Sequence, residues 1–260
     1  MTVAPRVFLL DVEGTIAPIT LVSEQLFPYA RAHFPAFLQA HSSDPAVQSD
    51  LALLAEESRT ETDPDVPRMP LQDPPISPQD SGAPSFPPSH AGRVRSSEAA
   101  LAYLIWLMDR DRKSTALKSL QGRIWKAGFE SGELKGTLFP DVPPALARWS
   151  TLGCVAIYSS GSTSAQQLLF RYSTFGDLSA LIAAYFDTRT GPKTAPASYA
   201  AIAAALAVDP HDVCFFSDVV RELDPAREAG MQTRLAIRKG NAPVENANGH
   251  SKIESFDEIL

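Results

Sequence analysis

Polar positions recur in this 260-residue sequence where short apolar segments end. Such segments are typical of buried strands, and residues just beyond them are well placed to bind ligands. The positions are Asp11, Glu13, Ser159, Ser160, Gly161, Lys193, Ser217, Asp218 and Glu222. Taken singly, a strand-end aspartate is often a helix cap, Ser-Ser-Gly an ordinary turn, and a lysine usually solvated. Together they supply carboxylates, hydroxyls, main-chain N–H groups and an ammonium group.

This combination fits phosphoryl transfer through a covalent aspartyl phosphate. The carboxylate of Asp11 would attack phosphorus, and a divalent cation held between Asp11 and Asp218 would offset the repulsion between carboxylate and phosphate. Oxygen ligands without a His or Cys cluster favour Mg²⁺. The groups available to bind the phosphate oxygens are the Ser159 hydroxyl, the main-chain N–H groups of Ser160 and Gly161, and the Lys193 ammonium group.

Two further carboxylates have positions that suit proton transfer and water binding. Glu13 lies one strand repeat beyond Asp11, within reach of the leaving-group oxygen, which it would protonate before taking a proton from the attacking water. Glu222 lies one helical turn after Asp218, where it would orient a metal-bound water. The sequence therefore predicts Asp11 and Glu13 as the catalytic residues.

The elements that must position these residues alternate between strand and helix. The predicted strands are Val7–Leu10, Val155–Tyr158, Ala183–Phe186, Val213–Phe216 and a final strand, Thr233–Ile237. Helical spacing over 164–171, 195–207 and 221–229 separates the last four strands. This alternation predicts an α/β fold with a doubly wound, Rossmann-like parallel sheet and helices on both faces. Right-handed crossovers then bring the carboxyl ends of all strands to one edge, where the polar positions would meet.

A helical block interrupts the alternation after the first strand. Helical spacing covers 23–39, with breaks expected at Pro28 and Pro35, and continues over 46–57, 96–110 and 114–129. Between Thr60 and Pro88 lie nine of the chain's 22 prolines, with too little apolar surface to offset the entropy of ordering. We therefore expect an α/β core of residues 1–20 and 136–260. A helical cap would be inserted over 21–135, with a mobile proline-rich loop over 60–95.

Composition and charge argue against several classes of protein. A net charge of −7 disfavours a nucleic-acid partner, since duplex-binding proteins usually carry a basic face. The two cysteines, Cys154 and Cys214, cannot form a disulfide framework, and both lie in apolar runs as reduced thiols would. No apolar run reaches the roughly 20 residues of a membrane span, and the N-terminus lacks a signal-peptide pattern. We expect a monomer in the cytoplasm, or also the nucleus of a eukaryote, acting on a small molecule.

The order of these motifs resembles that of the haloacid-dehalogenase superfamily of aspartate phosphatases. The segment Asp11-Val-Glu-Gly-Thr15 carries Glu13 where most of that superfamily has aspartate. Longer segments are similar to the enolase-phosphatases of methionine salvage, and this resemblance covers nearly the whole chain, cap included. The segments are Leu10–Thr15, Leu26–Ala30, Asp111–Lys118, Leu120–Trp125, Tyr158–Ser162, Tyr185–Thr188 and Phe216–Val219.

The resemblance implies a bifunctional enzyme. Its family enolises 2,3-diketo-5-methylthiopentyl-1-phosphate and then removes the phosphate, which gives the acireductone 1,2-dihydroxy-3-keto-5-methylthiopentene. It also implies one Mg²⁺ per subunit, held by Asp11, the main-chain carbonyl of Glu13 and Asp218. The phosphate-binding residues implied by the same resemblance are Ser159, Ser160 and Lys193.

Two other interpretations of the sequence stay open. The first is a related phosphatase that acts on another small phosphoester without enolisation, and the cap segments weigh against it. The second is a non-catalytic scaffold whose proline-rich segment recruits partners, and the intact set of polar residues weighs against that. A dehalogenase is weaker still, because that chemistry needs no magnesium.

Overall fold

The computed structural model describes residues 4–69 and 90–259, without the side chains of residues 90–96. The chain divides into two compact units. One is an α/β unit, Met1–Leu26 with Gly128–Leu260, and the other is a helical unit, Phe27–Ala127. This division places residues 21–26 and 128–135 with the α/β unit, whereas the sequence pattern assigned them to the inserted cap.

Within the described residues, six parallel strands form one sheet, in the order β3-β2-β1-β4-β5-β6. The strands are β1 (Val7–Leu10), β2 (Cys154–Tyr158), β3 (Ala184–Phe186), β4 (Val213–Ser217), β5 (Gln232–Ala236) and β6 (Ser251–Ile253). The doubly wound parallel fold predicted from the sequence is confirmed. The prediction that β5 is the final strand was wrong, because β6 is short and begins with two exposed polar residues that carry no apolar pattern.

Strand β1 lies at the centre of the sheet, and its register places the functional loops side by side. Its four residues are all buried, as expected of a parallel strand covered on both faces. Leu10 pairs with Ile157 of β2 on one side and with Phe216 of β4 on the other. Asp11 therefore leaves the sheet between the ends of β2 and β4, level with Tyr158 and Ser217.

Four α-helices lie wholly within the described part of the α/β unit. They are α5 (Val142–Leu152), α6 (Thr163–Arg171), α7 (Pro196–Ala205) and α8 (Val220–Glu228). Their numbers follow those of α1 to α4, which are described below. The sequence pattern did not predict α5, which starts with consecutive prolines that a helix tolerates only in its first turn. Trp149 of α5 is fully buried, with its ring 4.7 Å from that of Phe8 and 5.3 Å from that of Phe216. This aromatic contact holds α5 against the centre of the sheet.

The helical unit contains α1 (Phe27–Ala40), α2 (Pro45–Thr60), α3 (His90–Asp109) and most of α4 (Thr115–Ser131). The helix breaks expected at Pro28 and Pro35 were wrong. Pro28 lies in the first turn of α1, where its missing N–H would have no partner anyway, and Pro35 is exposed inside the helix. The other face of α1 is buried in an apolar core, and that burial outweighs one lost hydrogen bond.

The proline-rich loop expected over 60–95 lies mostly outside the described residues. Where the structure does describe it, the expectation was too broad, because α3 already begins at His90. Within residues 61–69, Val66 and Met69 are buried in the core of the helical unit, so this part of the segment is anchored there. No helix in the described ranges is long and apolar enough to cross a membrane.

Candidate active site

Asp11 and Lys193 form a buried ion pair at the carboxyl edge of β1. Lys193 Nζ lies 2.6 Å from Asp11 Oδ1 and 2.5 Å from Glu222 Oε2, and its side chain is 7% exposed. Burial alone would lower the pKa of this lysine, but the two carboxylates outweigh it and raise the pKa above its usual value. Lys193 therefore stays charged beside Asp11, the residue expected to attack the phosphate that Lys193 is predicted to bind.

Glu222 contacts different groups from those its spacing suggested. Its Oε2 bonds Lys193 and also accepts a 3.1 Å hydrogen bond from Ser217 Oγ, which lies 3.2 Å from Asp11 Oδ2. These contacts support a role in holding the ammonium group and the serine hydroxyl beside Asp11. They differ from the water-orienting role expected from the sequence, because the carboxylate turns toward Lys193.

Two carboxylates of the site lie close to other negative charges. Burial, followed by the charge of Asp11, raises the pKa of Glu13 to about 7. The same two causes raise the pKa of Asp218 to about 7. Asp218 Oδ1 is buried and receives no hydrogen bond from the described part of the chain. A carboxylate with a buried, unpartnered oxygen and like-charged neighbours is a site where a cation relieves the repulsion.

The donor set at this edge fits Mg²⁺. Across residues 4–69 and 90–259, no group of three or more His, Cys, Asp or Glu side chains could hold a metal. The ligand set predicted for Mg²⁺ has only two side chains, those of Asp11 and Asp218, together with the main-chain carbonyl of Glu13. Magnesium is commonly bound through one or two carboxylates and completes its shell with water and substrate phosphate oxygens. These residues therefore suit Mg²⁺ better than a metal ion that takes all of its ligands from the protein.

A tight turn from Glu13 to Ala17 positions the residues after Asp11. The N–H of Gly14 bonds the carbonyl of Ala17, and Gly14 has a φ of +70°. A Cβ atom at this glycine would lie 2.2 Å from Asp218 Oδ2, closer than any real contact. Thr15 Oγ1 accepts a 3.1 Å hydrogen bond from the Asp218 N–H. The turn and Asp218 thus pack directly against each other, and only glycine fits between them.

Replacing Gly14 with alanine is expected to destabilise the protein by roughly 1–3 kcal/mol, because the new methyl group meets a carboxylate in a strained backbone conformation. Urea unfolding would measure this loss. Gly176→Ala is the matched control, since Gly176 has a φ of +90° but no described atom within 4 Å of an added Cβ. Equal losses in the two variants would show that backbone strain alone matters and that the contact with Asp218 does not.

The Ser159–Gly161 loop follows β2 beside Asp11. Ser159 is buried, and its Oγ accepts a 3.2 Å hydrogen bond from the Gly161 N–H, one of the groups predicted to bind phosphate. Ser160 is exposed, and α6 begins only at Thr163. The structure therefore brings Ser159 and Lys193 to the same edge as Asp11. Ser160 and Gly161 lie just ahead of α6.

Three polar residues near the site were missed by the sequence analysis. Gln166 of α6 is buried, and its Nε2 donates to the carbonyls of Gly161 (2.8 Å) and Phe186 (2.9 Å), which fixes the loop after β2. Arg238 and Asn241 follow β5 and contact the turn after Asp11. The rule that polar residues follow parallel strands, applied to β5 as it was to β1, would have found Arg238.

Comparison with known proteins identifies the family. The haloacid dehalogenase-like hydrolase family matches residues 5–230. The protein named Enolase-phosphatase E1 of Synechococcus elongatus is 47% identical, over 100% of this chain and 99% of that protein. A Ricinus communis protein, named probable bifunctional methylthioribulose-1-phosphate dehydratase/enolase-phosphatase E1, is 40% identical over 98% of this chain and 46% of its own length.

A solved structure agrees with these sequence relatives. The UTR4 protein of Saccharomyces cerevisiae superposes with a TM-score of 0.74 at 32% identity, and the match covers 98% of this chain and 100% of that one. The resemblance drawn from the motifs is confirmed. The chain belongs to the haloacid dehalogenase-like hydrolases and, within them, to the enolase-phosphatase E1 family.

Proposed function

We propose that this enzyme enolises 2,3-diketo-5-methylthiopentyl-1-phosphate and then hydrolyses its phosphate ester, which gives 1,2-dihydroxy-3-keto-5-methylthiopentene in methionine salvage. The observation that carries the proposal is the buried Asp11–Lys193 pair at the sheet edge, in a chain similar over its full length to enolase-phosphatases. In this pair the ammonium group can bind the phosphate oxygens while the neighbouring carboxylate attacks phosphorus.

The Ricinus relative supports the choice of substrate. Its name joins a methylthioribulose-1-phosphate dehydratase to an enolase-phosphatase. Loss of water from two neighbouring hydroxyl-bearing carbons of that sugar phosphate leaves an enol, which tautomerises to a second ketone beside the first. The product is a diketone phosphate with a methylthio group at its far end. An enolase-phosphatase linked to such a dehydratase would receive this compound directly.

The residues at the sheet edge divide the phosphatase half-reaction between them. Asp11 attacks phosphorus and forms the aspartyl phosphate, while Lys193 and the Ser159 hydroxyl bind the phosphate oxygens. Glu13 protonates the departing enol oxygen and then takes a proton from the water that hydrolyses the intermediate. Ser160 and Gly161 would add main-chain donors once the phosphate displaces the bond between Gly161 and Ser159.

The ligand set proposed for Mg²⁺ consists of Asp11, the main-chain carbonyl of Glu13 and Asp218, with one ion per subunit. When bound, Mg²⁺ would neutralise phosphate charge and polarise the neighbouring carbonyl. The carboxylate oxygen that supports this site most directly is Asp218 Oδ1, which is buried and has no partner among the described residues.

Enzyme stripped of divalent ions is expected to recover phosphate release when Mg²⁺ is added. With Ca²⁺ it should recover at most about a tenth of that rate, because Ca²⁺ takes more ligands in a looser geometry and spoils in-line attack. A phosphate assay across a titration of each ion would measure this. Full activity in the presence of a chelator would contradict the proposed metal site.

Three further features belong to the same proposal. The helical unit, Phe27–Ala127, would act as a cap that excludes water while the enol forms. We also propose that the enzyme works in the cytoplasm and as a monomer on its small-molecule substrate, without nucleic acid or membrane partners. Gel filtration at micromolar concentration would test the monomer.

The decisive test of function follows both half-reactions on one substrate. Incubation with the diketone phosphate should give the absorbance of the enol and release inorganic phosphate. A simple alkyl phosphate of similar length, which has no acidic proton beside a carbonyl, should react far more slowly. Comparable rates on the two compounds would instead identify a phosphatase without enolase activity.

A further inference from the structure

The loop that follows β5 contacts the candidate active site through Asn241. Asn241 Nδ2 donates to the carbonyl of Gly14 at 2.8 Å and to Asp218 Oδ2 at 3.0 Å. One amide group therefore joins the turn after β1 to the carboxylate that follows β4. The match to the haloacid dehalogenase-like hydrolase family ends at residue 230, so this loop lies after the matched segment.

The start of the loop is fixed by Arg238, which is buried. Its Nε donates to the carbonyl of Thr15 at 2.9 Å, and its Nη1 lies 2.7 Å from Asp141 Oδ2. The guanidinium group also lies 4.9 Å from the ring of Phe139 and 4.4 Å from that of Phe256. A buried arginine held by a carboxylate and two aromatic rings has little freedom to move. The loop thus approaches the site from a rigid support.

Asn241 leaves the two oxygens of Asp218 in different states. Oδ2 is occupied by the amide of Asn241, whereas Oδ1 is buried and accepts no hydrogen bond from any described residue. The Asp218 N–H is held by Thr15 Oγ1. The Asp218 carboxylate therefore cannot rotate freely: Oδ2 is hydrogen-bonded to Asn241, and Oδ1 is left available to a ligand. This is what an amide beside a metal-binding carboxylate achieves when it orients the ligand.

We propose that Asn241 is a positioning residue for the divalent cation: its side-chain amide fixes Asp218 so that Oδ1 faces the cation. Through Gly14 the same amide also fixes the turn that carries the Glu13 carbonyl. The inference rests on the proposed Mg²⁺ site and extends it to a loop that follows a different strand. Asn241 itself does not touch the cation, so its effect passes through Asp218 and the Gly14 turn.

Isothermal titration of the full-length protein with Mg²⁺, without substrate, tests this proposal. Asn241→Ala removes the amide, and Asn241→Leu removes it at nearly constant volume, so that one variant remains informative if the other fails to fold. We expect each to weaken the Kd for Mg²⁺ by about 10–100-fold, the usual loss when the partner of a metal ligand is removed. The rate of phosphate release should then recover as Mg²⁺ is raised.

Asn248→Gly provides the matched control. Asn248 Nδ2 also donates to an aspartate, Asp224 Oδ2 at 2.9 Å, and its φ of +47° is one that glycine accepts. This variant should bind Mg²⁺ within about twofold of the wild type, as expected of a change away from the site. The control separates the loss of any Asn–Asp bond from the loss of the one at Asp218.

The outcomes separate this inference from the function on which it rests. If the wild type binds Mg²⁺ and both folded Asn241 variants bind it within about twofold, Asn241 does not position the ligand, and a lower metal-free urea midpoint would make its role purely structural. If the wild type itself binds no Mg²⁺, the proposed metal site fails and this inference fails with it. A weaker Kd in both variants with an unchanged control supports it.

Discussion

Replacing Asp11 with asparagine is expected to lower the rate of phosphate release by at least about 10³-fold, the scale seen when a member of a catalytic unit is removed. The two side chains have nearly the same size, but an amide oxygen is a far weaker nucleophile than a carboxylate toward phosphorus. The ammonium group of Lys193 would keep Glu222 as a charged partner at 2.5 Å. The variant should therefore fold while failing to form the aspartyl phosphate.

A single-turnover phosphate assay at saturating Mg²⁺ measures this loss without interference from product release. Asp209→Asn is the matched control, because Asp209 is exposed and caps the short 3-10 helix Pro210–Asp212, and asparagine keeps the capping oxygen. That variant should stay within about twofold of the wild type. If Asp11→Asn kept about a tenth of the wild-type rate, another residue would have to be the nucleophile.

The central part of the fold could be predicted because its strands are buried on both faces. Each of β1 and β4 is buried along its whole length, so its sequence is a continuous apolar run that ends sharply at a polar residue. The elements that were missed lack such a signal. Two of the three residues of β6 are polar, and the second and third residues of α5 are prolines that look like a break. Both depend on contacts with distant elements, which local patterns do not contain.

For the site, the topology determines which residues come together, and the side-chain rotamers determine which of them form hydrogen bonds and ion pairs. Parallel topology alone predicts that Asp11, Ser159 and Asp218 reach one edge, since each follows a strand. It does not predict which partner each side chain chooses. Glu222 turns toward Lys193, and Asn241 bonds Asp218 from a loop after β5, because these pairings satisfy buried polar atoms that only the folded chain brings together.

The substitution Glu13→Gln is expected to separate the two half-reactions. If Glu13 is mainly the acid for the leaving group, its loss should slow phosphate release by the roughly 10²–10⁴-fold typical of general acid catalysis. Formation of the enol phosphate does not need that proton, so this intermediate should accumulate. The main-chain carbonyl at position 13 remains, and the Mg²⁺ site with it. Stopped-flow absorbance of the enol, run beside a phosphate assay, measures both steps.

The control for this experiment is Glu24→Gln, which makes the same chemical change at an exposed position of the segment that follows the Gly14 turn. It should leave both rates within about twofold of the wild type. The informative contrast is between the two signals in Glu13→Gln. Enol without phosphate assigns Glu13 to the leaving group. Loss of both signals would show that Glu13 also removes the proton during enolisation, because the diketone would then never reach the step at which Asp11 attacks.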